Sequence, residues 1–353
     1  MGWNSWNRFG PFVSERLVLE TADALIETGM RDAGYRYVVI DDAWEGSLRE
    51  DGELVPSLWK FPRGMRPLAD DLHARGLKFG LYTCAGTHTC QGYPASAGNE
   101  VRDARRFAEW GVDFIKVDWC NTNGLDAPAT YAAWSAALRA AGRTMVFSVC
   151  EWGRSRPWEW APPLAHMWRT ASDIQDRWDS VVTTLARQSA IADHAGPDHW
   201  NDPDMLEVGN GGMTDDEQRA HFSLWAILAA PLMAGNDLRD MTATTREILT
   251  APEVIAVDQD PAGMQGRLLR DEDGRQVWAR RLADGSHAVA LLNASDQTAA
   301  LRVSWPELGL PPTARVTVRD LWQRADIGVF SEGHETELRS HTAVLLTLRS
   351  HQS

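Results

Sequence analysis

Residues 110–119 read WGVDFIKVDW, and they contain the pattern that decides the fold. The run 114–119 is rich in β-branched and aromatic residues, which predicts a buried strand that reaches the carboxylate of Asp118. Similar runs recur up to about residue 262, and amphipathic helical stretches separate them. Such alternation is typical of parallel strands joined by helices.

We count eight strands in this part of the chain. One lies at or just before Met1, one is 114–119, and the other runs are 37–42, 78–83, 145–150, 167–173, 199–202 and 231–237. Residues 14–33 have the periodicity of a helix, and Thr214 followed by Glu217 predicts a capping box at a helix start. Eight strand–helix units predict a (β/α)8 TIM barrel over residues 1–262.

The pattern changes after residue 262 to short alternating runs without helical periodicity. Antiparallel strands are predicted at 276–282, 287–293, 299–305, 315–321 and 342–348. Asp273-Gly274 and Asp284-Gly285 predict hairpin turns. Residues 263–353 are therefore expected to form an antiparallel β-sandwich domain.

The composition of the chain limits the classes of binding partner that we expect. The net charge of −14 disfavours nucleic acid and anionic membranes. No run approaches the roughly 18 apolar residues of a membrane-spanning helix, so we expect a soluble protein. The segment after Met1 lacks signal-peptide features, and the first strand needs residues ahead of Gly2. We expect secretion if the chain begins downstream of a removed segment, and a cytoplasmic protein otherwise.

Carboxylates cluster where predicted strands end, which is where a barrel of this kind builds its active site. The clusters contain Asp41-Asp42, Asp118, Glu151, Asp173 and Asp202 with Asp204. One such carboxylate is often a helix cap or an ion-pair partner, but five converging clusters are harder to explain in that way. Together with seventeen tryptophans, whose rings stack on sugars, they favour glycoside hydrolysis.

Two other kinds of site are weaker candidates. Asp202 and Asp204 with His194 and His199 could be drawn as metal ligands, but the histidines lack i, i+4 spacing. The glycine-rich residues 209–212 lack the lysine of a phosphate-binding loop. We therefore expect neither a metal nor another cofactor.

Five motifs follow one another in a recognisable order: MGWNSWN at 1–7, IDDAW at 40–44, GLKFGLY at 76–82, WGVDFIKVD at 110–118 and WNDPDML at 200–206. They resemble glycoside hydrolase family 27, the melibiase type of α-galactosidase, over nearly the whole chain. The resemblance implies a (β/α)8 barrel followed by an antiparallel β domain. It also implies retaining hydrolysis of terminal α-D-galactosides in an oligosaccharide or glycoconjugate.

The resemblance assigns roles by position. Asp118 would be the nucleophile and Asp173 the general acid/base. Asp41 and Asp42 would accept hydrogen bonds from the 4- and 6-hydroxyls, Lys116 would bridge neighbouring hydroxyls, and Arg169 would hold the 2-hydroxyl side. Further residues placed against the sugar are Trp6, Tyr82, Cys90, Cys150, Trp152, Asp204 and Met205.

The resemblance also implies a disulfide between Cys90 and Cys120, for which two buried thiols are the alternative. We expect Lys116 and Arg169 to depress the pKa of Asp118, and apolar surroundings with a nearby carboxylate to raise that of Asp173. The chain departs from the family at Cys84, where Asp is common, so a carboxylate is missing near the pocket.

Three rival functions stay open at this point. A β-L-arabinopyranosidase of the same family acts on a sugar that lacks the 6-hydroxymethyl arm, and the intact Asp41-Asp42 pair favours galactose. A non-catalytic sugar-binding protein is disfavoured because both catalytic aspartates are present. A metal-dependent lyase on a barrel is the third. The sequence is also compatible with a homo-oligomer.

Overall fold

The computed structural model describes residues 1–351, which fall into two compact units. The first unit comprises residues 1–173, 204–210 and 232–241, and the second comprises the rest of the described chain. The boundary predicted after residue 262 separates parallel from antiparallel strands instead, and it stays a prediction.

The parallel sheet contains eight short strands: β1 Gly2–Asn4, β2 Tyr37–Ile40, β3 Lys78–Cys84, β4 Phe114–Asp118, β5 Val146–Cys150, β6 Met167–Arg169, β7 Trp200–Asp202 and β8 Met233–Ala234. Seven of them lie in the first unit, in the order β6-β5-β4-β3-β2-β1-β8. Because β1 pairs in parallel with both β2 and β8, this order has the closure of a (β/α)8 barrel, and the predicted fold class is confirmed.

The helices alternate with these strands. Those of the first unit are α1 Trp6–Phe9, α2 Glu15–Glu27, α3 Met30–Ala33, α4 Met65–Ala74, α5 Glu100–Trp110, α6 Ala127–Ala140 and α7 Pro157–Trp160. The second unit contains α8 Trp178–Gln188, α9 Asp215–Ile227, α10 Ala243–Leu249 and α11 Pro252–Asp258. Short 3-10 turns are Gly10–Phe12, Ala192–His194, Leu238–Asp240 and Trp305–Leu308.

The central strands consist mostly of buried residues, which is why they are readable from sequence. Ile115 and Val117 of β4 are fully buried, and so is Ile40 at the end of β2. Both faces of a parallel sheet are covered in an α/β fold, so consecutive residues are buried. The predicted strands at 78–83 and 114–119 match β3 and β4 to within one residue.

The single helix predicted over 14–33 is wrong in one respect, because two helices occupy that stretch. Ser14 caps α2 by accepting a hydrogen bond from the Leu17 N–H at 3.3 Å. The chain then takes up a φ of +82° at Gly29, a left-handed conformation that ends a helix and that glycine adopts without strain. The second helix, α3, starts at Met30.

The antiparallel domain has eight strands: β9 Arg267–Glu272, β10 Arg275–Arg281, β11 His287–Asn293, β12 Ala299–Ser304, β13 Val316–Asp320, β14 Ala325–Phe330, β15 Gly333–Leu338 and β16 Thr342–Ser350. Six form one sheet in the order β14-β13-β16-β11-β10-β9, and β12 pairs with β15. Val289, Leu291 and Trp305 lie in the apolar core between them. The predicted turn at Asp273-Gly274 joins β9 to β10, with φ of +54° and +83°.

Sequence reasoning missed β9, β14 and β15. All three are short and largely half-buried or exposed, so they lack the clear alternation that marked the other five. The predicted capping box is confirmed, since Thr214 accepts from the Glu217 N–H and Glu217 accepts from the Thr214 N–H. No helix within residues 1–351 has the length and apolar character needed to cross a membrane.

Candidate active site

The pairing register of the parallel sheet places the last residues of β3, β4 and β5 side by side. Asp118 on β4 is level with Cys84 on β3 and with Cys150 on β5. Lys116 lies two residues before Asp118, and side chains two apart in a strand share a face. The carboxylate and the ammonium therefore face the same interior.

One cavity of the first unit collects nearly all the residues predicted for the site. The enclosed volume of this cavity is about 50 Å³. Of the predicted residues, those that line it are Trp6, Asp41, Asp42, Tyr82, Cys90, Lys116, Asp118, Trp152, Arg169, Asp173, Asp204 and Met205. Cys150 is not among the lining residues: its sulfur lies 3.8 Å from Arg169 Nη1.

Asp118 is a buried carboxyl with 6% of its surface exposed. Its Oδ1 accepts the Trp119 N–H at 2.9 Å, and its Oδ2 lies 3.4 Å from Cys90 Sγ. Burial raises the pKa of Asp118 to about 6, although Lys116 and the Trp119 N–H pull it down. The expectation of a depressed pKa is wrong, because loss of hydration outweighs the nearby cations here.

Asp173 differs from Asp118 in both exposure and charge environment. Its side chain is 64% exposed, and its Oδ1 accepts a hydrogen bond from Arg169 Nη2 at 3.0 Å. Partial burial tends to raise the pKa of Asp173, but the charges of Arg169 and Lys116 outweigh it and hold the pKa below its usual value. The expected raised pKa of Asp173 is therefore wrong.

The Asp41-Asp42 pair is fixed by hydrogen bonds from several directions. Asp41 Oδ2 accepts from Asn4 Nδ2 at 2.7 Å and from Lys116 Nζ at 2.8 Å. Asp42 Oδ1 accepts the Ala43 N–H at 2.6 Å, and its Oδ2 accepts the Gln91 N–H at 3.0 Å. Burial raises the pKa of Asp42 despite these donors and a further hydrogen bond from Thr89.

Lys116, which is partly buried, and Arg169, which is buried, bring two cations to the cavity. Burial alone would lower the pKa of Lys116, but the charges around it, Asp41 first, raise its pKa above the usual value, so it stays protonated. Arg169, only 3% exposed, forms an ion pair with Asp204 at 2.8 Å. Asp204 in turn accepts the Met205 N–H at 2.8 Å, which fixes both residues in the wall.

The disulfide implied by the resemblance is present between Cys90 and Cys120. It ties the segment after β3 to the segment after β4, beside Asp118. Cys84 does not line the cavity: its thiol donates to the Cys120 carbonyl at 3.1 Å, and burial raises its pKa to about 12. The missing carboxylate at this position therefore leaves a neutral thiol behind the cavity.

Sequence reasoning missed Asn7, which also lines the cavity. Its amide nitrogen donates to Glu207 Oε1 at 2.5 Å. Asn7 follows Trp6 within the first motif, so its place beside a predicted wall residue was the available signal. Among residues 1–351, no group of three or more His, Cys, Asp or Glu side chains is arranged to hold a metal ion.

Two family models match the chain along most of its length. Residues 1–260 match the model described as alpha galactosidase A, and residues 272–348 match the alpha galactosidase C-terminal beta sandwich domain. Alpha-galactosidase 3 of Arabidopsis thaliana is 46% identical, over 99% of this chain and 81% of its own length.

Solved structures resemble the model in the same way. Alpha-galactosidase I from Mortierella vinacea superposes with a TM-score of 0.96 at 38% identity, covering 99% of this chain and 96% of its own. A β-L-arabinopyranosidase from Geobacillus stearothermophilus has a TM-score of 0.90 at 28% identity, with 99% and 95% covered. The chain therefore belongs to the melibiase-type α-galactosidases of glycoside hydrolase family 27 and is a glycoside hydrolase.

Proposed function

We propose that Asp118 and Asp173 are the two catalytic carboxyls of a retaining α-galactosidase. The activity itself, retaining hydrolysis of terminal α-D-galactosides, is that of the family to which the chain belongs. The observation that carries the assignment is the meeting of Asp118 and Asp173 in one cavity with two cations, Lys116 and Arg169.

In the first step, the Asp118 carboxylate attacks the anomeric carbon while Asp173 gives its proton to the departing oxygen. The C–O bond to the aglycone breaks, and a glycosyl ester with Asp118 forms. A pKa of about 6 leaves Asp118 mostly ionised at neutral pH. In the second step, Asp173 takes a proton from water, whose oxygen replaces Asp118 and releases galactose as the α-anomer.

Asp173 must carry a proton at the start of this sequence, although Arg169 depresses its pKa. A bound galactoside would cover the exposed part of the Asp173 side chain. Loss of hydration favours the neutral form of a carboxyl, so substrate binding raises its pKa at the moment when the proton is needed.

Galactose recognition rests on Asp41, Asp42 and Lys116. Lys116 is hydrogen-bonded to Asp41, and backbone donors hold Asp42 in place, so these groups are already oriented before the sugar arrives. An axial 4-hydroxyl would reach Asp42 and Lys116, and buried polar groups left without it would cost about 1–3 kcal/mol. The intact Asp41-Asp42 pair also supplies partners for a 6-hydroxymethyl arm.

The remaining predictions about partners and domains are parts of the same proposal. The substrate is a galactose-containing oligosaccharide or glycoconjugate, and the net charge of −14 disfavours nucleic acid. The proposal includes self-association into a homo-oligomer, and sedimentation would measure the oligomeric state. The change of strand type supports a catalytic domain at 1–262 and a β domain at 263–353.

The test compares substrates that differ in the sugar and in the leaving group. We expect higher kcat/KM on 4-nitrophenyl α-D-galactopyranoside than on the β-L-arabinopyranoside, and the opposite order would favour the rival activity. In Asp173→Asn, kcat/KM on melibiose should fall much further than kcat/KM on the nitrophenyl galactoside, because kcat/KM reports the first step and nitrophenolate leaves without a proton. Equal losses on both substrates would remove Asp173 as the acid.

A further inference from the structure

The segment after β5 carries an arginine that the chemistry above does not use. The Arg154 guanidinium carbon lies 4.4 Å from the centroid of the Trp152 ring, which is the distance of a stacked cation–π pair. Trp152 itself lines the cavity. Arg154 is thus a surface cation held against the cavity wall.

The backbone around Trp152 and Arg154 has an unusual local conformation. Trp152 has a φ of +60°, an unusual conformation for a bulky residue and one that accompanies functional sites. The next residue, Gly153, approaches the Thr170 carbonyl so closely that an added Cβ would come within 2.4 Å of that oxygen. Glu151 closes the turn by accepting the Ser155 N–H at 2.7 Å.

The position of the stack relative to the proposed acid decides what it would touch. Trp152 and Asp173 line the same cavity, and the Trp152 side chain helps to hold the pKa of Asp173 below its usual value. A general acid contacts the oxygen of the leaving group, so a wall residue next to it borders the space for the aglycone. Arg154 does not itself line the cavity, but it stacks on this wall residue.

The charge on Arg154 is not neutralised by an ion pair. Within residues 1–351, Arg154 forms no ion pair within 4.0 Å, whereas Arg156 pairs with Glu159. Burial raises the pKa of Glu151 in the same turn, and the charge of Arg154 opposes this rise. A guanidinium stacked on a ring keeps its N–H edge available, and that edge matches a carboxylate with two hydrogen bonds.

We propose that Arg154, stacked on Trp152, forms an aglycone subsite that selects α-galactosides whose leaving group carries a carboxylate, as in a sugar acid. This inference rests on the proposed role of Asp173 as acid/base. The carboxylate would accept hydrogen bonds from Arg154 without taking part in bond breaking.

The test uses two open-chain substrates that share the α-1,6-galactosyl linkage and differ in one group. Melibionate carries a carboxylate where melibiitol carries a hydroxymethyl. For the wild type we expect kcat/KM to be about two- to fivefold higher on melibionate, the size of an exposed charge contact, and the preference should shrink as NaCl is raised. The ratio between the two substrates is the readout, so a loss common to both cancels.

Variants separate Arg154 from its neighbours. Arg154→Gln should bring the ratio close to one, Arg154→Lys should keep part of it, and Arg156→Gln should leave it as in the wild type. A ratio that is the same in the wild type and Arg154→Gln overturns the subsite. If melibiitol and 4-nitrophenyl α-galactoside are both cleaved, that failure leaves the proposed function intact, whereas loss of all three activities in the wild type would sink the function itself.

Discussion

Lys116 Nζ lies 2.8 Å from Asp41 Oδ2, where the Asp41 side chain is buried and the Lys116 side chain is 13% exposed. The same ammonium lowers the pKa of Asp118 two residues further along β4. One cation therefore supports a carboxylate proposed to bind the sugar and another proposed to attack it. Removing the Lys116 cation should therefore affect both carboxylates.

Lys116→Met should raise the pKa of Asp118 above about 6 and destabilise the fold by about 3–5 kcal/mol, because Asp41 would be left buried without its counter-charge. Carboxyl-carbon NMR measures the pKa, and urea unfolding measures the stability. Lys78→Met is the matched control, since Lys78 is exposed at the start of β3 and should change stability by no more than about 0.5 kcal/mol. An unchanged Asp118 pKa in Lys116→Met would contradict the electrostatic role.

Asp118→Asn should make the protein more stable at pH 7, even though it removes the proposed nucleophile. The folded pKa of about 6 exceeds the unfolded value near 4, so the native state binds more protons between these values. Wild-type stability therefore falls as pH rises from about 4 to 6, and the loss is complete above 6. The gain in the variant should be on the order of 1–3 kcal/mol at pH 7 and vanish below about pH 4. Thermal unfolding across this range tests it, and a variant less stable at pH 7 would refute it.

Asp173→Asn should lower the pKa of Asp118. The negative charge of Asp173 raises that pKa at present, so removing it favours the ionised form of Asp118. NMR titration of the free protein is the measurement, because activity in this variant is compromised. An Asp118 pKa that is unchanged or higher in Asp173→Asn would mean that the two carboxyls do not interact in the free protein.

Cleaving the disulfide should cost stability and substrate affinity together. Cys90 and Cys120 are 30 residues apart, a loop whose closure contributes about 3–4 kcal/mol in the chain-entropy account. The Gln91 N–H that holds Asp42 follows Cys90 directly, so KM should rise in a Cys90→Ser, Cys120→Ser double variant. Urea unfolding and steady-state kinetics check the two effects.

Cys84→Ser, which keeps a donor toward the Cys120 carbonyl, is the control and should lose less than about 1 kcal/mol. A double variant as stable as the wild type would remove the disulfide from this account.

Sequence reasoning reached the barrel because β2, β3 and β4 consist mostly of buried residues and are rich in β-branched and aromatic side chains. It could not place β14 and β15, since partly exposed strands stabilised by their neighbours carry little pattern of their own. The break between α2 and α3 depended on one glycine, Gly29, inside an otherwise helical period.

The residues of the site were more predictable than its electrostatics. The sequence and its family resemblance named twelve of the residues that line the cavity, and strand ends converge at one edge of a parallel barrel. The pKa order of Asp118 and Asp173 was predicted the wrong way round. The order of the two pKa values depends on which carboxyl is buried and which is paired with Arg169. The spacing of residues in the sequence shows neither the burial nor the pairing.

The most direct test of the central claim is to identify the residue that becomes glycosylated. The protein would react with a galactosyl donor fluorinated at C2, which slows the second step, and its peptic digest would be mapped by mass spectrometry. We predict the fluorosugar on the peptide that contains Asp118, attached through an ester to that side chain. A label on any other carboxyl, or turnover with no covalent species and β-galactose as the first product, would contradict the assignment.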